Sequence, residues 1–253
     1  MSTAEDILKR RTYFPRGLSQ PTDGYRFSID ALLLASFASP PEHACGLDLG
    51  TGCGVVSLAL LLSQTTPNLH LTGLDLQPEM IQRAQANALL LGFESQTDFI
   101  LEDISSYRQQ ENSLDFVVAN PPYRRPGQGR LSPTPGRMTA RFEDQADIHA
   151  FARAATRALK DKAPFYLVHL PERLPEVLKA CASATLEPKR LRFVHSREDE
   201  PARIMLLEAR KNCGTGLVVD PPLTLYKGRG EATELSEAAL AFCPFLQCNA
   251  KTE

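Results

Sequence analysis

Four consecutive residues combine the side chains best suited to chemistry: Asn120, Pro121, Pro122 and Tyr123 follow the mostly apolar residues 114–119. Proline has a fixed φ and no backbone N–H, so two prolines in succession hold the chain extended. The flanking Asn and Tyr side chains are therefore presented on a stiff support. Because polar residues at the end of a strand often serve binding, this stretch predicts a substrate site.

Five arginines follow the same stretch. Residues 124–141 are rich in proline and glycine, contain no acidic residue or lysine, and include Arg124, Arg125, Arg130, Arg137 and Arg141. The chain as a whole has a formal net charge of −2, so the positive charge of this loop is local. Guanidinium groups bind phosphates, and long loops in compact domains are usually functional. The loop is predicted to bind the phosphates of a nucleic-acid substrate.

A glycine-rich turn is predicted between a strand at residues 44–50 and an apolar helix. Its glycines, Gly50, Gly52 and Gly54, lack Cβ atoms and let a ligand approach the free N–H groups of a helix N-terminus. Dinucleotide-binding folds use the spacing G-x-G-x-x-G, whose third glycine would fall on Val55. The spacing in this chain argues against a nicotinamide dehydrogenase.

Aspartates occur at the ends of three successive predicted strands: Asp48, Asp75 and Asp103. Asp75 can accept hydrogen bonds from two ribose hydroxyls, and Asp103 is placed to meet the exocyclic amine of an adenine. A single such aspartate is as often a helix or turn cap. Three of them beside a glycine-rich loop predict a site for a nucleoside cofactor.

Strands and helices alternate along most of the chain. Strands are predicted at 44–50, 69–75, 97–103, 114–120, 164–170, 190–196 and 202–210, and helices near 55–64, 78–92, 145–160 and 171–183. This order predicts an α/β fold whose seven-stranded sheet is mostly parallel, with an antiparallel hairpin at its edge and helices on both faces. Ligands bind such sheets at the carboxyl ends of the strands.

The motifs LDLGTGCG, GLDL, LED and NPPY, in this order, resemble class I S-adenosylmethionine-dependent methyltransferases acting on nitrogen. The resemblance implies a Rossmann-like fold, S-adenosylmethionine as cofactor and S-adenosylhomocysteine as product. It also implies that the Asn120 side chain and the Pro121 carbonyl accept the two hydrogens of an NH₂ group, while Tyr123 stacks on the plane that bears it.

Two further segments, YRFSIDALLLASFA and the tail LVVDPPLTLYKGRGEATELSEAALAF, resemble bacterial tRNA adenine-N6 methyltransferases of the valine-tRNA type. That resemblance implies a tRNA or other structured RNA as partner and the adenine beside the anticodon as target. Two alternatives remain open. The same NPPY motif serves release-factor glutamine-N5 methyltransferases, and the fold could also be kept by a non-catalytic RNA-binding module.

Charge, hydropathy and the spacing of cysteines and histidines indicate the domain organisation and the cellular location. We expect a basic N-terminal segment at 1–43 that packs on a methyltransferase domain at 44–253, forming a single domain overall. The longest apolar run, residues 55–62, is too short to span a bilayer, and no secretory signal is evident, so a cytoplasmic protein without membrane contact is expected. The spacing of cysteines and histidines predicts no metal site, and no obligate protein partner is evident.

Overall fold

The structure is a computed structural model that describes residues 3–21, 28–63, 68–108, 111–122 and 147–249. Tyr123 and the arginines of residues 124–141 lie outside these ranges, so the contacts predicted for them stay predictions. The glycine-rich turn, the three aspartates and Asn120 lie within them.

A central sheet carries the fold. Its strands are β1 (Cys45–Leu49), β2 (His70–Asp75), β3 (Thr97–Leu101), β4 (Phe116–Ala119), β5 (Pro164–His169), β6 (Leu186–His195), β7 (Ala202–Lys211), β8 (Val218–Val219) and β9 (Leu223–Thr224). Their spatial order is β3-β2-β1-β4-β5-β7-β6-β8, and β9 also pairs with β6. Strands β1 to β5 are parallel, and β7 runs antiparallel to both β5 and β6. A separate two-stranded ribbon joins β10 (Tyr226–Lys227) to β11 (Glu234–Leu235).

Helices cover both faces of this sheet. They are α1 (Ala4–Thr12), α2 (Ile29–Phe37), α3 (Val55–Leu62), α4 (Pro78–Leu91), α5 (Ile148–Ala158), α6 (Leu174–Ser183) and α7 (Glu237–Phe242), with 3-10 turns at Pro171–Arg173, Gly230–Ala232 and Pro244–Asn249. Side chains of β4 alternate between two cores: Phe116 and Val118 face α2, α3 and α4, whereas Val117 and Ala119 face α5 and α6. Over the described residues, no helix has the length and apolarity needed to cross a membrane.

The predicted fold class is confirmed, with local differences. The seven predicted strands are present, and the short strands β8 and β9 extend the sheet beyond the β6–β7 hairpin. Strand β6 begins at Leu186, four residues before the predicted start, and a register shift between Pro188 and Arg190 accommodates the proline within it. Helices α1, α2 and α7 had no counterpart in the sequence analysis.

Gly46 permits close packing between the two strands that lead into the site. It pairs with Phe116 across β1 and β4, and a Cβ at this position would lie 2.2–2.6 Å from three atoms of the fully buried Phe116 ring. We therefore expect Gly46→Ala to lower the free energy of unfolding by about 2–3 kcal/mol. Urea denaturation measures this loss. In the control Gly214→Ala the new Cβ meets no atom within 4 Å, and equal losses in both variants would contradict the packing argument.

Candidate cofactor and substrate site

The carboxyl ends of four parallel strands bring the predicted site residues to one edge of the sheet. In the register of the sheet, Leu49 of β1 pairs with Leu74 of β2 and with Ala119 of β4. The residues that follow, Gly50, Asp75 and Asn120, therefore lie at the same level. The chain proceeds from β1 outward to β3 and then returns to β4 on the other side of β1, so this edge is the point where strand order reverses.

The glycine loop between β1 and α3 depends on left-handed backbone conformations. Gly50, Gly52 and Gly54 have φ values of +72°, +56° and +82°. A Cβ on Gly52 would meet nothing within 4 Å, whereas one on Gly54 would lie 3.1 Å from the Phe99 ring. The loop is thus packed against the core at Gly54 and leaves room for a ligand beside the backbone of Gly52.

Asp75 braces this loop from the neighbouring strand. Its two carboxylate oxygens accept hydrogen bonds from the N–H groups of Gly52 and Gln77, each at 2.9 Å. Burial raises the pKa of Asp75, while the two N–H donors act in the opposite direction. Because a carboxylate offers about four acceptor positions, Asp75 can hold the loop and still accept hydrogen bonds from a ribose.

Asp48 lies beneath the loop, with only 1% of its surface exposed. One of its oxygens accepts hydrogen bonds from the hydroxyls of Thr51 and Ser57, both at 2.8 Å. These contacts give Asp48 a bracing role in the loop. A direct contact between Asp48 and a cofactor stays a prediction.

The other predicted residues follow β3 and β4. Asp103 lies two residues beyond β3, and its side chain accepts a hydrogen bond at 2.7 Å from the N–H of Ser105. This is the turn-capping contact that had been the alternative interpretation for a strand-end aspartate. Asn120 follows β4 directly and is partly buried; Pro121 is buried and Pro122 exposed. The structure thus brings Asn120 to the glycine loop and leaves the role of Asp103 as a prediction.

Sequence reasoning missed several polar residues that shape the site: Thr51, Ser57, Asn87 and His169 are all buried. Asn87 had a readable signal, because it occurs on the α4 face formed by Ile81, Ala84, Ala88 and Leu91, and a polar residue on a buried helix face needs a partner. His169 ends β5, the parallel neighbour of β4, and its Nδ1 accepts a hydrogen bond at 2.8 Å from the N–H of Leu170.

Asp48 and His169 have shifted pKa values of opposite sign. Burial raises the pKa of Asp48 from its ordinary value to about 6, even though hydrogen bonds from the Ser57 and Thr51 hydroxyls lower it. Burial, assisted by the charge of Arg173, lowers the pKa of His169 from 6.5 to about 4. Between about pH 4 and 6 the folded protein therefore gains stability at lower pH from Asp48 and loses stability at lower pH from His169.

This pair gives a prediction with opposite signs. As the pH rises from 4 to 7, the wild-type protein must bury the charge of ionised Asp48, whereas Asp48→Asn does not. The unfolding free energy of the variant should therefore rise relative to that of wild type by on the order of 3 kcal/mol over this range. His169→Gln should gain a similar amount as the pH falls over the same interval. Denaturant unfolding at several pH values measures both. If the unfolding free energies of both variants changed with pH in the same way as that of wild type, the burial argument would be contradicted.

The residues present fit an adenosyl cofactor. The open side of Gly52, the N-terminus of α3 and the carboxylate of Asp75 supply backbone room, N–H donors and a ribose acceptor at one edge. Among the described residues, no group of three His, Cys, Asp or Glu side chains is arranged to hold a metal ion.

Comparisons with known proteins agree with this geometry. A family model described as a methyltransferase domain matches residues 43–198. The chain is 25% identical over 228 residues to a tRNA1(Val) (adenine(37)-N6)-methyltransferase of Haemophilus influenzae, an alignment that covers 90% of this chain and 94% of that protein. It is 34% identical to the protein of that name from Glaesserella parasuis, but the 98 aligned residues span only 39% of this chain and 40% of that protein.

A release factor glutamine methyltransferase of Koribacter versatilis is 40% identical over 77 residues, which are 30% of this chain and 26% of that protein. Among solved structures, a predicted O-methyltransferase from Agrobacterium tumefaciens aligns with a TM-score of 0.67 at 19% identity, covering 85% of this chain and 96% of that one. This likeness shows the Rossmann-like fold. Given the family match over residues 43–198, the chain belongs to the methyltransferase domain family and is an S-adenosylmethionine-dependent methyltransferase.

Proposed function

We propose that this enzyme methylates the exocyclic N6 amine of an adenine in RNA, namely the adenine beside the anticodon of a tRNA of the valine type. The observation that carries the proposal is the placement of Asn120, followed by two prolines, at the level of the glycine loop. Relatives named as tRNA1(Val) (adenine(37)-N6)-methyltransferases support the choice of substrate.

The proposed cofactor-binding residues are Asp48, Gly50, Gly52, Gly54, Asp75 and Asp103. The glycine loop offers backbone N–H groups, and Asp75 accepts hydrogen bonds from the ribose while it fixes the loop through Gly52. When bound, S-adenosylmethionine supplies an electrophilic methyl group. Asn120 follows β4, the parallel neighbour of the strand β1 that leads into the glycine loop, and this adjacency supports methyl transfer from a cofactor bound at the loop.

Asn120 and Pro121 would orient the amine. The Asn120 side-chain oxygen and the Pro121 carbonyl accept the two N–H groups, which directs the nitrogen lone pair toward the methyl group. An adenine amine is a weak nucleophile because its lone pair is conjugated with the ring, and Asn is no base at neutral pH. The contribution of Asn120 is therefore orientation, an effect that can supply several kcal/mol of the barrier reduction.

Substrate binding would involve residues known only from the sequence. Tyr123 would stack on the adenine, and the arginines at 124, 125, 130, 137 and 141 would contact RNA phosphates. A base in the single-stranded anticodon loop needs little energy to leave its stack. These features favour RNA over a small-molecule substrate.

A second candidate is glutamine-N5 methylation of a release factor. An amide NH₂ presents the same two hydrogens to Asn120 and Pro121, and the Koribacter versatilis relative favours this candidate over a short alignment. The arginine-rich residues 124–141 favour the RNA substrate instead.

One assay separates the candidates. The protein is incubated with S-adenosylmethionine and unmodified total tRNA, and separately with release factor, and the digested products are examined by mass spectrometry. New N6-methyladenosine in the tRNA is expected. Methylation of the release factor alone would select the second candidate. Methylation of neither substrate would contradict both.

A further inference from the structure

Asn87 joins three parts of the chain from the middle of α4. The residue is fully buried, and its Nδ2 donates hydrogen bonds to the carbonyls of Cys53, at 2.9 Å, and Ser19, at 3.1 Å. Its Oδ1 accepts a hydrogen bond at 2.7 Å from the N–H of Ser19. The side chain thus satisfies backbone groups of both the glycine loop and the N-terminal part of the chain, which are otherwise far apart in sequence.

Residues 3–21, here called the N-terminal strap, are held against α4 at two places, Ser19 and Arg11. Near the glycine loop, Nη1 of Arg83 donates a hydrogen bond to the Ser19 hydroxyl at 3.0 Å. At the C-terminus of α4, Arg11 donates to the carbonyls of Leu91, at 2.8 Å, and Gly92, at 3.1 Å. The strap therefore lies along α4 between Gly92 and Arg83, and Asn87 connects its residue Ser19 to the glycine loop.

The contact with Cys53 lies at the centre of the glycine loop. Cys53 stands between Gly52, whose N–H binds Asp75, and Gly54, which packs against Phe99. Asp75 holds the peptide unit that joins Thr51 to Gly52, and Asn87 holds the one that joins Cys53 to Gly54. The same side-chain amide holds Ser19 of the strap and the Cys53 carbonyl of the loop, so a shift of Ser19 would displace the group that holds the loop.

We propose that Asn87 is a positioning residue that makes the N-terminal strap part of the cofactor site. This inference rests on the proposed binding of S-adenosylmethionine at the glycine loop. Coupling between two sites is reciprocal in free energy. If the strap orders the loop for the cofactor, then bound cofactor stabilises the strap by the same factor.

Two variants and one control test the coupling, with S-adenosylhomocysteine as the ligand in calorimetry. Asn87→Asp removes both donors and is expected to weaken binding about tenfold, within the usual range of coupling between sites. Arg83→Met removes the donor to the Ser19 hydroxyl and the ion pair with Glu79 but no hydrogen bond to the loop, and it should weaken binding about fivefold. The control Thr97→Val removes a buried hydroxyl that donates to the Phe93 carbonyl, contacts neither Ser19 nor Cys53, and should bind normally.

Hydrogen exchange supplies a readout that a purely structural role would not change. In wild type, S-adenosylhomocysteine should slow amide exchange in residues 13–21, and in Asn87→Asp this protection should disappear. Wild-type affinity in both variants, or exchange of residues 13–21 that does not respond to ligand, would overturn the inference. If Asn87→Asp does not fold, Arg83→Met and the wild-type exchange data decide. Absence of binding by wild type would instead refute the cofactor site itself.

Discussion

Asn120→Ala is expected to reduce methyl transfer to RNA at least about 100-fold, the effect typical of losing one well-placed hydrogen-bonding group from an active site. Affinity for S-adenosylmethionine should stay unchanged, because Asn120 follows β4 whereas the proposed cofactor-binding residues lie on β1, β2 and the segments that follow β1 and β3. The physical reason is loss of orientation: the amine still reaches the site, but its lone pair is no longer directed. Single-turnover kinetics measures transfer, and calorimetry measures cofactor affinity.

Asn212→Ala is a suitable control for this experiment. Asn212 is exposed and donates a hydrogen bond to Asp161, away from the carboxyl edge of the sheet, so its loss should leave turnover unchanged. If Asn120→Ala turned over at the wild-type rate, the orienting role would be wrong. If the variant instead lost cofactor affinity, Asn120 would belong to the cofactor site.

Asp75→Ala is expected to weaken the binding of S-adenosylmethionine by at least about tenfold and up to about 100-fold, since hydrogen bonds to a carboxylate contribute roughly 1.5–3 kcal/mol each. Two losses combine in this variant. The ribose hydroxyls lose their acceptor, and the N–H groups of Gly52 and Gln77 lose the carboxylate that fixes them. Calorimetric titration gives the affinity directly.

A double-mutant cycle separates these two losses. Wild type and Asp75→Ala are titrated with S-adenosylhomocysteine and with its 2′-deoxyribose analogue. If Asp75 binds the ribose, wild type discriminates between the ligands and the variant does not. Equal discrimination by both proteins would limit Asp75 to bracing the glycine loop.

Much of the site could be predicted because its signals are local. A short apolar run that ends in glycines before an apolar helix is typical of a strand, a turn and a helix in succession. Parallel strands then bring their carboxyl ends together at one edge of the sheet. The sequence therefore placed Gly50, Asp75 and Asn120 at one edge, and the register of β1, β2 and β4 agrees. The roles of Tyr123 and the arginine-rich loop remain predictions.

Other contacts connect positions that no local pattern relates. Gly46 faces the Phe116 ring only because β1 and β4 pair in the sheet. The two residues are about 70 positions apart in the sequence, so no local pattern relates them. Packing likewise decided that the buried Asp48 carboxylate accepts hydrogen bonds from Thr51 and Ser57, and its contact with a cofactor stays a prediction.

The sequence by itself determined the order of strands and helices, the glycine loop and the residues at the strand ends, because periodicity and backbone conformational limits act over a few residues. Tertiary structure decided which polar groups meet: Asn87 with Ser19 and Cys53, and Asp75 with Gly52. Such pairings depend on how buried donors and acceptors find partners when distant segments pack, and that requirement is satisfied only by the whole fold.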